Sequence, residues 1–580
     1  MSNLDKLWKS KAIKLPPEVD VEGNVEYKRR LNDVSPERLE HLTTQLKWRL
    51  SEGDGQAYYE LGVADDGVFI GLDSEELKGS LVTLNTMATS LDADLTIVNE
   101  LIVPNTNRKA VEALVRRRLF DGKSWFSDIR IVLIGSHSSG KSTILGCLTH
   151  GIQDNGRGKS RLSLLRHRHE IETGRTSSIS HEIIGFQSDG TIVNFNQSSP
   201  NLAISWEQIC SSSDKIVSFL DTCGHPKYMK TTIRGLTGKS PDYAILVISA
   251  ESDTIPQMTK EHLGLATMLK IPIMIVLNKI DLIQDNPNRL NKVFTKLIQL
   301  LQSVGNNLTP VVISDNDSIE TYLTDPSAYL PILLISSVTG ENFDLFINLL
   351  SKLPATHTQE SHTDKEHAEF HVEEVFSVPS AGTVIGGTLL NGMIKSDPNA
   401  LYHLGPNQNG EFVSVKIKSI YRHRIATQMV RPGQSATLAI VHKVNTDGEI
   451  DQPLDAHLSI RSGMVLLGCL TPPSVYYEFE ADVTVLYHAN VLKALFETMV
   501  HCGSICQSAK IVNIKKCKDG DNFTSSSESQ RIAGKMGLRT GERGLIKFRF
   551  CRRPEFLKLG SPLVIREGNN KLIGKITKVG

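Results

Sequence analysis

The chain has 580 residues, enough for three or four domains at roughly 150 residues each. Sixty-four Lys and Arg balance 64 Asp and Glu, so no global charge advertises a polyanionic partner, and 40% hydrophobic with 22% charged residues excludes wholesale disorder. Eight scattered cysteines, with no CxxC pair and only Cys502 and Cys506 close together, exclude a disulfide scaffold and point to a reducing compartment. No apolar run is long enough to span a membrane and the N-terminus has no apolar core, so a cytoplasmic protein without a secretory signal or membrane contact is expected.

Residues 1–125 read as an N-terminal arm, 1–25, followed by a small α+β module. Leu39, Leu42, Leu46 and Leu50 recur at helical spacing. Two strand-like runs, 57–63 and 67–71, flank a turn; a helix is predicted over 74–91 with Ser74 as N-cap, then a strand over 95–103. From residue 128 the texture changes. The run 129–134 is mostly apolar and β-branched, as in a strand buried on both faces. Similar runs at 216–220, 243–249, 271–277 and 332–335 alternate with helical stretches, so 128–354 reads as one doubly wound α/β domain. A polar linker is expected over 355–369. Beyond it, short strands and Gly-rich turns predict two all-β sandwiches or barrels, 370–472 and 473–580.

Within the α/β domain, Gly135-Ser136-His137-Ser138-Ser139-Gly140-Lys141-Ser142 is a full P-loop. It follows the first strand and opens a helix at Thr143, the context in which backbone N–H groups wrap phosphates at a helix N-terminus. Lys141 is expected at the β/γ-phosphates and Ser142 on Mg2+. Asp221-Thr222-Cys223-Gly224 stands at a later strand end, where Asp221 can hold Mg2+ through water and the Gly224 N–H can sense the γ-phosphate. Asn278-Lys279-Ile280-Asp281 follows the strand 271–277 and selects guanine: the Asp281 carboxylate accepts from N1–H and the exocyclic amine, a donor pair adenine lacks. Lys279 can cover the ring and Asn278 meet the base edge. Ser336-Ser337-Val338 fits the last guanine-contacting loop. A Thr should reach Mg2+ from the segment between P-loop and Asp221; Thr176 is the best candidate, with Ser177 and Ser178 as rivals. The cluster Arg166-His167-Arg168-His169 reads equally as an RNA-facing or a solvated surface. The cofactors expected are GTP and Mg2+.

These residues in this order resemble the translational GTPases, above all Asp221-Thr222-Cys223-Gly224-His225, because those factors carry a His after DxxG. Gly382-Thr383-Val384-Ile385-Gly386-Gly387-Thr388 resembles the second domain of elongation factor Tu, and Ile565-Arg566-Glu567-Gly568 with Ile573-Gly574-Lys575-Ile576 its third. Asp154-Asn155-Gly156-Arg157-Gly158, Gly174-Arg175-Thr176-Ser177-Ser178 and the 259–266 and 499–505 segments narrow the resemblance to the GTP-binding protein 1 and 2 family, with Ser178-Ile179-Ser180 leaning toward its second member. The resemblance implies a multidomain fold: an α/β P-loop GTPase domain plus two all-β barrels, with the small N-terminal α+β module. It implies that His225 orients the attacking water, and it implies partners: aminoacyl-tRNA, ribosomes and RNA-surveillance factors, in translation or ribosome rescue. The family pattern has Val and Asp where this chain has His137 and Ser138, and Pro or Ala where it has Cys223. Two functions follow: a partner-stimulated GTPase, or a GTP-sensing adaptor with negligible turnover. Residues 473–580 carry 18 Lys and Arg against 10 Asp and Glu, net +8, with clusters at 515–518 and 551–553, a candidate tRNA-stem surface.

Overall fold

The computed structural model describes residues 15, 24–32, 34–52, 56–91, 93–103, 106, 108–117, 126–165, 167–195, 204–251, 254–283, 287–303, 308–355, 368–378, 382–397, 400–442, 460–468, 474–487, 491–516, 537–567 and 570–580. Arg166, most of the 355–369 linker and Cys517-Lys518 lie outside them.

The N-terminal module is a four-stranded sheet, order β1-β2-β4-β3, made of β1 (Val25–Lys28), β2 (Gln56–Leu61), β3 (Ala93–Ile102) and β4 (Lys109–Arg117). Helices α1 (Pro36–Glu52) and α2 (Ser74–Ser90) supply Leu42, Leu46, Leu84 and Met87 to its core beside Ala57, Tyr59 and Val115. The N-cap of α2 is Asp73, not Ser74. Asp73 accepts from Glu75 and Glu76 N–H and Glu76 bonds back, a capping box that stabilises a helix start by about 1 kcal/mol.

The α/β domain is a seven-stranded sheet built on β5 (Ser127–Ile134), β6 (Ser180–Phe186), β7 (Lys215–Asp221), β8 (Tyr243–Ser249), β9 (Ile273–Asn278), β10 (Thr309–Ile313) and β11 (Tyr329–Ile335), in the order β10-β11-β9-β8-β5-β7-β6. All pairs are parallel except β6 with β7. Central β5 is covered on both faces. Its Ile129, Ile131 and Leu133 meet Ile144 and Leu148 of α3 (Lys141–His150), while Val132 and Ile134 join the core of the opposite face. There they pack with Ile233 and Leu236 of α4 (Met229–Gly238), Leu263 of α5 (Gln257–Met268) and Leu297 of α6 (Pro287–Ser303). Side-chain period two thus gives the sheet two cores. The strand order reverses at β5, between β7 and β8, so the P-loop leaves the sheet at its topological switch point.

Both C-terminal units are closed barrels. In the first, β12 (Glu369–Val378), β13 (Gly382–Asn391), β15 (Tyr402–Gly405), β16 (Val413–Arg422), β19 (Ser435–His442) and β20 (Val465–Leu467) run in a sheet closed by the β15–β16 pairing; β17 (Ile425–Ala426) pairs with β16, and β14 (Ile394–Lys395) and β18 (Met429–Val430) form a separate two-stranded sheet. The second closes β21 (Glu478–Tyr487), β22 (Glu497–Cys502), β23 (Ile505–Lys516), β24 (Arg543–Phe550), β25 (Pro562–Glu567) and β26 (Asn570–Val579) around Phe479, Phe548 and Ile546.

Buried polar contacts fasten the barrels to the α/β domain. Arg130, an Arg inside the apolar strand β5, donates to Lys239 O (2.6 Å), Thr388 Oγ1 (2.5 Å) and Gly433 O (2.9 Å). Asp128 accepts from the Ser218 hydroxyl (3.1 Å) and pairs with His423 (3.0 Å) at the β16–β17 hairpin tip, which overrides burial and holds its carboxyl well below the usual range. On the second barrel, Val564 and Ile573 enter the α4–α5 core, and Glu261 pairs with Arg566 and Lys571.

Candidate nucleotide site

The P-loop turns back on itself through the sequence's own chemistry. Gly135 adopts φ +137°, where a Cβ would lie 2.3 Å from Val247 O; Gly140 adopts φ +100°, where one would lie 2.1 Å from Asn278 Nδ2. Only glycine satisfies either position. The Ser139 hydroxyl closes the turn on Ser136 O (2.9 Å). Lys141 is buried at the start of α3 and its Nζ donates to Gly135 O (3.1 Å) and Ser136 O (2.9 Å), which fixes the ammonium under the loop. Burial pulls Lys141 down and pushes Asp221 up, and each charge partly offsets the other. His137, Ser138, Gly140, Ser142 and Thr143 line the cavity above Lys141 with Gly174, Arg175, Thr176, Gly224 and His225.

Three oxygens converge at the head of α3. Ser142 Oγ lies 3.1 Å from Thr176 Oγ1 and donates to Asp221 Oδ2 at 2.5 Å. Asp221 Oδ1 is buried and has no hydrogen-bond partner among the described residues. Two hydroxyls and a half-satisfied carboxylate are the hard-oxygen set that Mg2+ takes, so the residues fit that ion. Thr176 stands apart from its rivals for a reason visible in the loop. The buried Glu170 carboxylate accepts Ser177 N–H (2.6 Å), Ser177 Oγ–H (2.7 Å), Ser178 N–H (3.2 Å) and Ser178 Oγ–H (3.3 Å), committing both serines and leaving Thr176 to face Ser142. Burial opposes the charge on Glu170, but these donors outweigh it and hold the pKa to about 2. Upstream, Arg161 donates to Gly174 O (3.2 Å). The pair Arg175-Thr176 is therefore pinned on both sides.

The Asp221–His225 segment leaves β7 under two staples: Thr222 Oγ1 donates to Leu133 O (2.6 Å), and Thr232 Oγ1 to Cys223 O (2.8 Å). Cys223 is buried, its thiol pushed up to about 12 by burial and directed at Ser178 O (3.7 Å). His225 is half-buried and caps the turn Pro226–Tyr228, its Nδ1 accepting Lys227 N–H (3.2 Å).

At the far end of the P-loop, Asn278 donates to Ser139 O (3.3 Å) and accepts from the Ser337 hydroxyl (3.1 Å), tying three loops together. Asp281 Oδ1 accepts Ser336 Oγ–H (2.6 Å), which sets the carboxylate's orientation. Lys279 sits at φ +66° and its ammonium pairs with Glu251 (3.1 Å). Ser336 and Ser337 are buried, and Val338 is exposed beside them.

The P-loop, the 221–225 segment, the 278–281 segment and the 336–338 loop thus stand at the C-terminal ends of β5, β7, β9 and β11, and Asn278 bonds both the P-loop and the 336–338 loop. Three side chains were missed. Glu170 and Arg161 carry no motif of their own. His262, on the buried face of α5, accepts Gly135 N–H at Nδ1 (2.9 Å), and burial drives its pKa down to about 3, so the ring is neutral. Its place in the 259–266 segment bore on the resemblance, but nothing there beyond a His on an apolar helix face pointed to the P-loop.

The model of the family described as Elongation factor Tu GTP binding domain matches residues 127–359. GTP-binding protein 2 of Homo sapiens and of Mus musculus is 40% identical over 575 residues, 97% of this chain and 88% of the relative. The chain belongs to the GTP-binding protein 1 and 2 family. GTP-binding protein 1 of Xenopus laevis is 38% identical over 554 residues, 94% of this chain and 77% of that protein. The fold is shared with the crystal structure of translation elongation factor SelB from Methanococcus maripaludis in complex with the GTP analogue GppNHp, at a TM-score of 0.50, 17% identity, and coverage of 79% of this chain and 80% of that one. A GTP-binding domain of elongation-factor type, two barrels and a family of translational GTPases are thus in hand.

Proposed function

We propose that the protein binds GTP and hydrolyses it to GDP and phosphate as a partner-stimulated translational GTPase, acting in the cytoplasm with aminoacyl-tRNA and ribosomes, in translation or in ribosome and RNA surveillance. The observation that carries this reading is the cluster of Ser142 Oγ, Thr176 Oγ1 and the Asp221 carboxylate beside the P-loop, in which Asp221 Oδ2 accepts from Ser142 and Oδ1 has no partner among the described residues. In this reading Ser142, Thr176 and Asp221 hold Mg2+, which supplies charge neutralisation at the phosphates when bound. Lys141 and backbone N–H groups of the P-loop bind the phosphate chain and stabilise the charge that builds on it. Gly224 reports the γ-phosphate, and His225 orients water. Asn278, Lys279, Asp281, Ser336, Ser337 and Val338 hold guanine. The match of residues 127–359 to the Elongation factor Tu GTP binding domain supports work in translation.

A second reading is favoured by His137, Ser138 and Cys223: a GTP-sensing adaptor of RNA-surveillance machinery with negligible turnover. Single-turnover hydrolysis with and without ribosomes separates the two. Turnover accelerated by ribosomes supports the first; saturable GTP binding with none in either condition supports the adaptor.

A further inference from the structure

At the mouth of the phosphate cavity the rings of His137 and His225 meet edge to face, centroids 5.9 Å apart and planes at 61°. They arrive from different elements. His137 belongs to the P-loop, His225 to the loop after β7. A backbone bond from His137 N–H to Gly224 O (3.0 Å) clasps the two loops. Gly224 is what permits that clasp: a Cβ there would lie 2.5 Å from both His137 N and Lys141 Nζ. The meeting of the rings is thus set by backbone as well as by rotamers.

The two rings differ in what they can do. His225 Nδ1 already accepts Lys227 N–H, so the neutral ring carries its hydrogen on Nε2 and presents a donor to the cavity. The His137 ring is exposed to the cavity, and no protein hydrogen bond holds either of its nitrogens among the described residues. Its pKa is lowered, first by burial and then by the groups that face it: His225 from the loop after β7, Arg175 from the pinned loop before β6, and Lys141 from α3. At neutral pH it is an unprotonated base beside a donor.

We propose that His137 is a second catalytic histidine, which takes a proton from the attacking water that His225 orients. The inference rests on the hydrolysis reading above. In the step, a lone pair of the water oxygen forms a bond to the γ-phosphorus. The bond from that phosphorus to the β–γ bridging oxygen breaks, and its electron pair leaves on GDP. The water proton moves to the free imidazole nitrogen of His137 and returns from there to the departing phosphate. Valine, the residue the family pattern has at this position, cannot accept a proton, so the role belongs to this chain's own residue.

The test is single-turnover GTP hydrolysis by the full chain with ribosomes, from about pH 5 to about pH 8.5, a range that spans ordinary histidine titration. The parent rate should fall toward acid along a limb whose midpoint lies below the ordinary histidine value. His137→Val should still bind fluorescent GTP, lose that limb and turn over about 100-fold more slowly. His137→Gln, polar but not basic, should behave like His137→Val. A rate in His137→Val equal to or above the parent's, or an acid limb unchanged by the substitution, overturns the proposal and leaves the hydrolysis reading standing. No turnover by the parent at any pH overturns the hydrolysis reading, and this proposal with it.

Discussion

Ser142 Oγ donates to one oxygen of Asp221 at 2.5 Å, while the other oxygen of that carboxylate is buried with no partner among the described residues. A buried acceptor left open costs about 1–3 kcal/mol unless something fills it, which is the physical case for a cation at this point. Ser142→Ala loses two part-buried hydroxyl contacts, to Thr176 and to Asp221, at a cost of about 1–3 kcal/mol, and should forfeit the Mg2+-dependent tightening of GTP binding. Fluorescent-GTP titration with Mg2+ and with chelator checks this: a large difference is expected for the parent and little for the variant. An undiminished Mg2+ effect in Ser142→Ala would remove this hydroxyl from the cation site.

Guanine selectivity is expected to reside in Asp281. Asp281→Asn keeps an oxygen to accept from Ser336, so the loop should hold its shape. The amide donates where the carboxylate accepted, and two hydrogen bonds to a charged group at about 1.5–3 kcal/mol each are lost with guanine. GDP affinity should fall by roughly 100-fold or more, and xanthosine diphosphate should become the better ligand. Competition binding of both nucleotides to both forms measures it; an unchanged GDP preference sinks the assignment.

The parts of this architecture that the sequence made legible are those in which chemistry dictates residue type at a fixed place. Gly135 and Gly140 are forced by backbone approach, Asp221 and Asp281 by what they must accept, and β5, β7, β8 and β9 by being apolar on both faces. Strands with a solvent face or an internal break escaped. β4 (KAVEALVRR) and β6 (SHEIIGF) mix charge with apolar residues, and β10 (TPVVI) carries a Pro at a sheet edge. Long-range pairings were illegible for a different reason. Glu170 with Ser177 and Ser178, His262 with Gly135, and Arg130 with Thr388 join residues whose partners are chosen only by the folded chain. An Arg in the apolar run of β5 was nonetheless a visible anomaly, since a buried guanidinium needs partners.

Glu170 makes the Thr176 loop sensitive to acid. Its folded pKa of about 2 lies below the ordinary carboxylate value of 4.5, so the contribution is fully present above about pH 4.5 and is lost as pH falls toward 2. Hydrogen exchange of residues 167–178 should accelerate across that window. Glu170→Gln should open the loop at neutral pH and abolish its dependence on acid, because a neutral amide oxygen holds the four donors now on Oε1 less strongly than a carboxylate does, and an amide nitrogen cannot accept His167 N–H in place of Oε2. Equal protection in parent and variant would show that the loop is held by something else.

Binding of tRNA is the last expectation, and the structure changes how to test it. Residues 473–580 are net positive, but much of that charge is already spent. Lys516 pairs with Glu542 (2.6 Å), Lys547 with Glu478 (2.6 Å), and Arg543 with Asp482. Arg553, half-buried, belongs to a knot with Glu555 (3.2 Å) to which Arg461 (2.8 Å) and Gln507 (2.9 Å) also bond. Reversing Arg553 would leave like charges on a buried glutamate and loosen the contact between the barrels, so it cannot report on RNA alone. Arg552 is exposed and touches Gln507 only through its backbone N–H (3.1 Å); Lys515 is exposed as well. Arg552→Glu with Lys515→Glu is therefore the clean substitution. Aminoacyl-tRNA affinity in the GTP state should fall in the double variant, its salt dependence should flatten as each released counterion is lost, and GTP affinity should not move. An A-form stem gripped through phosphates and 2′-hydroxyls should compete regardless of its sequence. Filter binding at several salt concentrations gives all three readings. A salt-insensitive parent, or equal tRNA affinity with GDP and GTP, would argue against a tRNA carrier and for the adaptor.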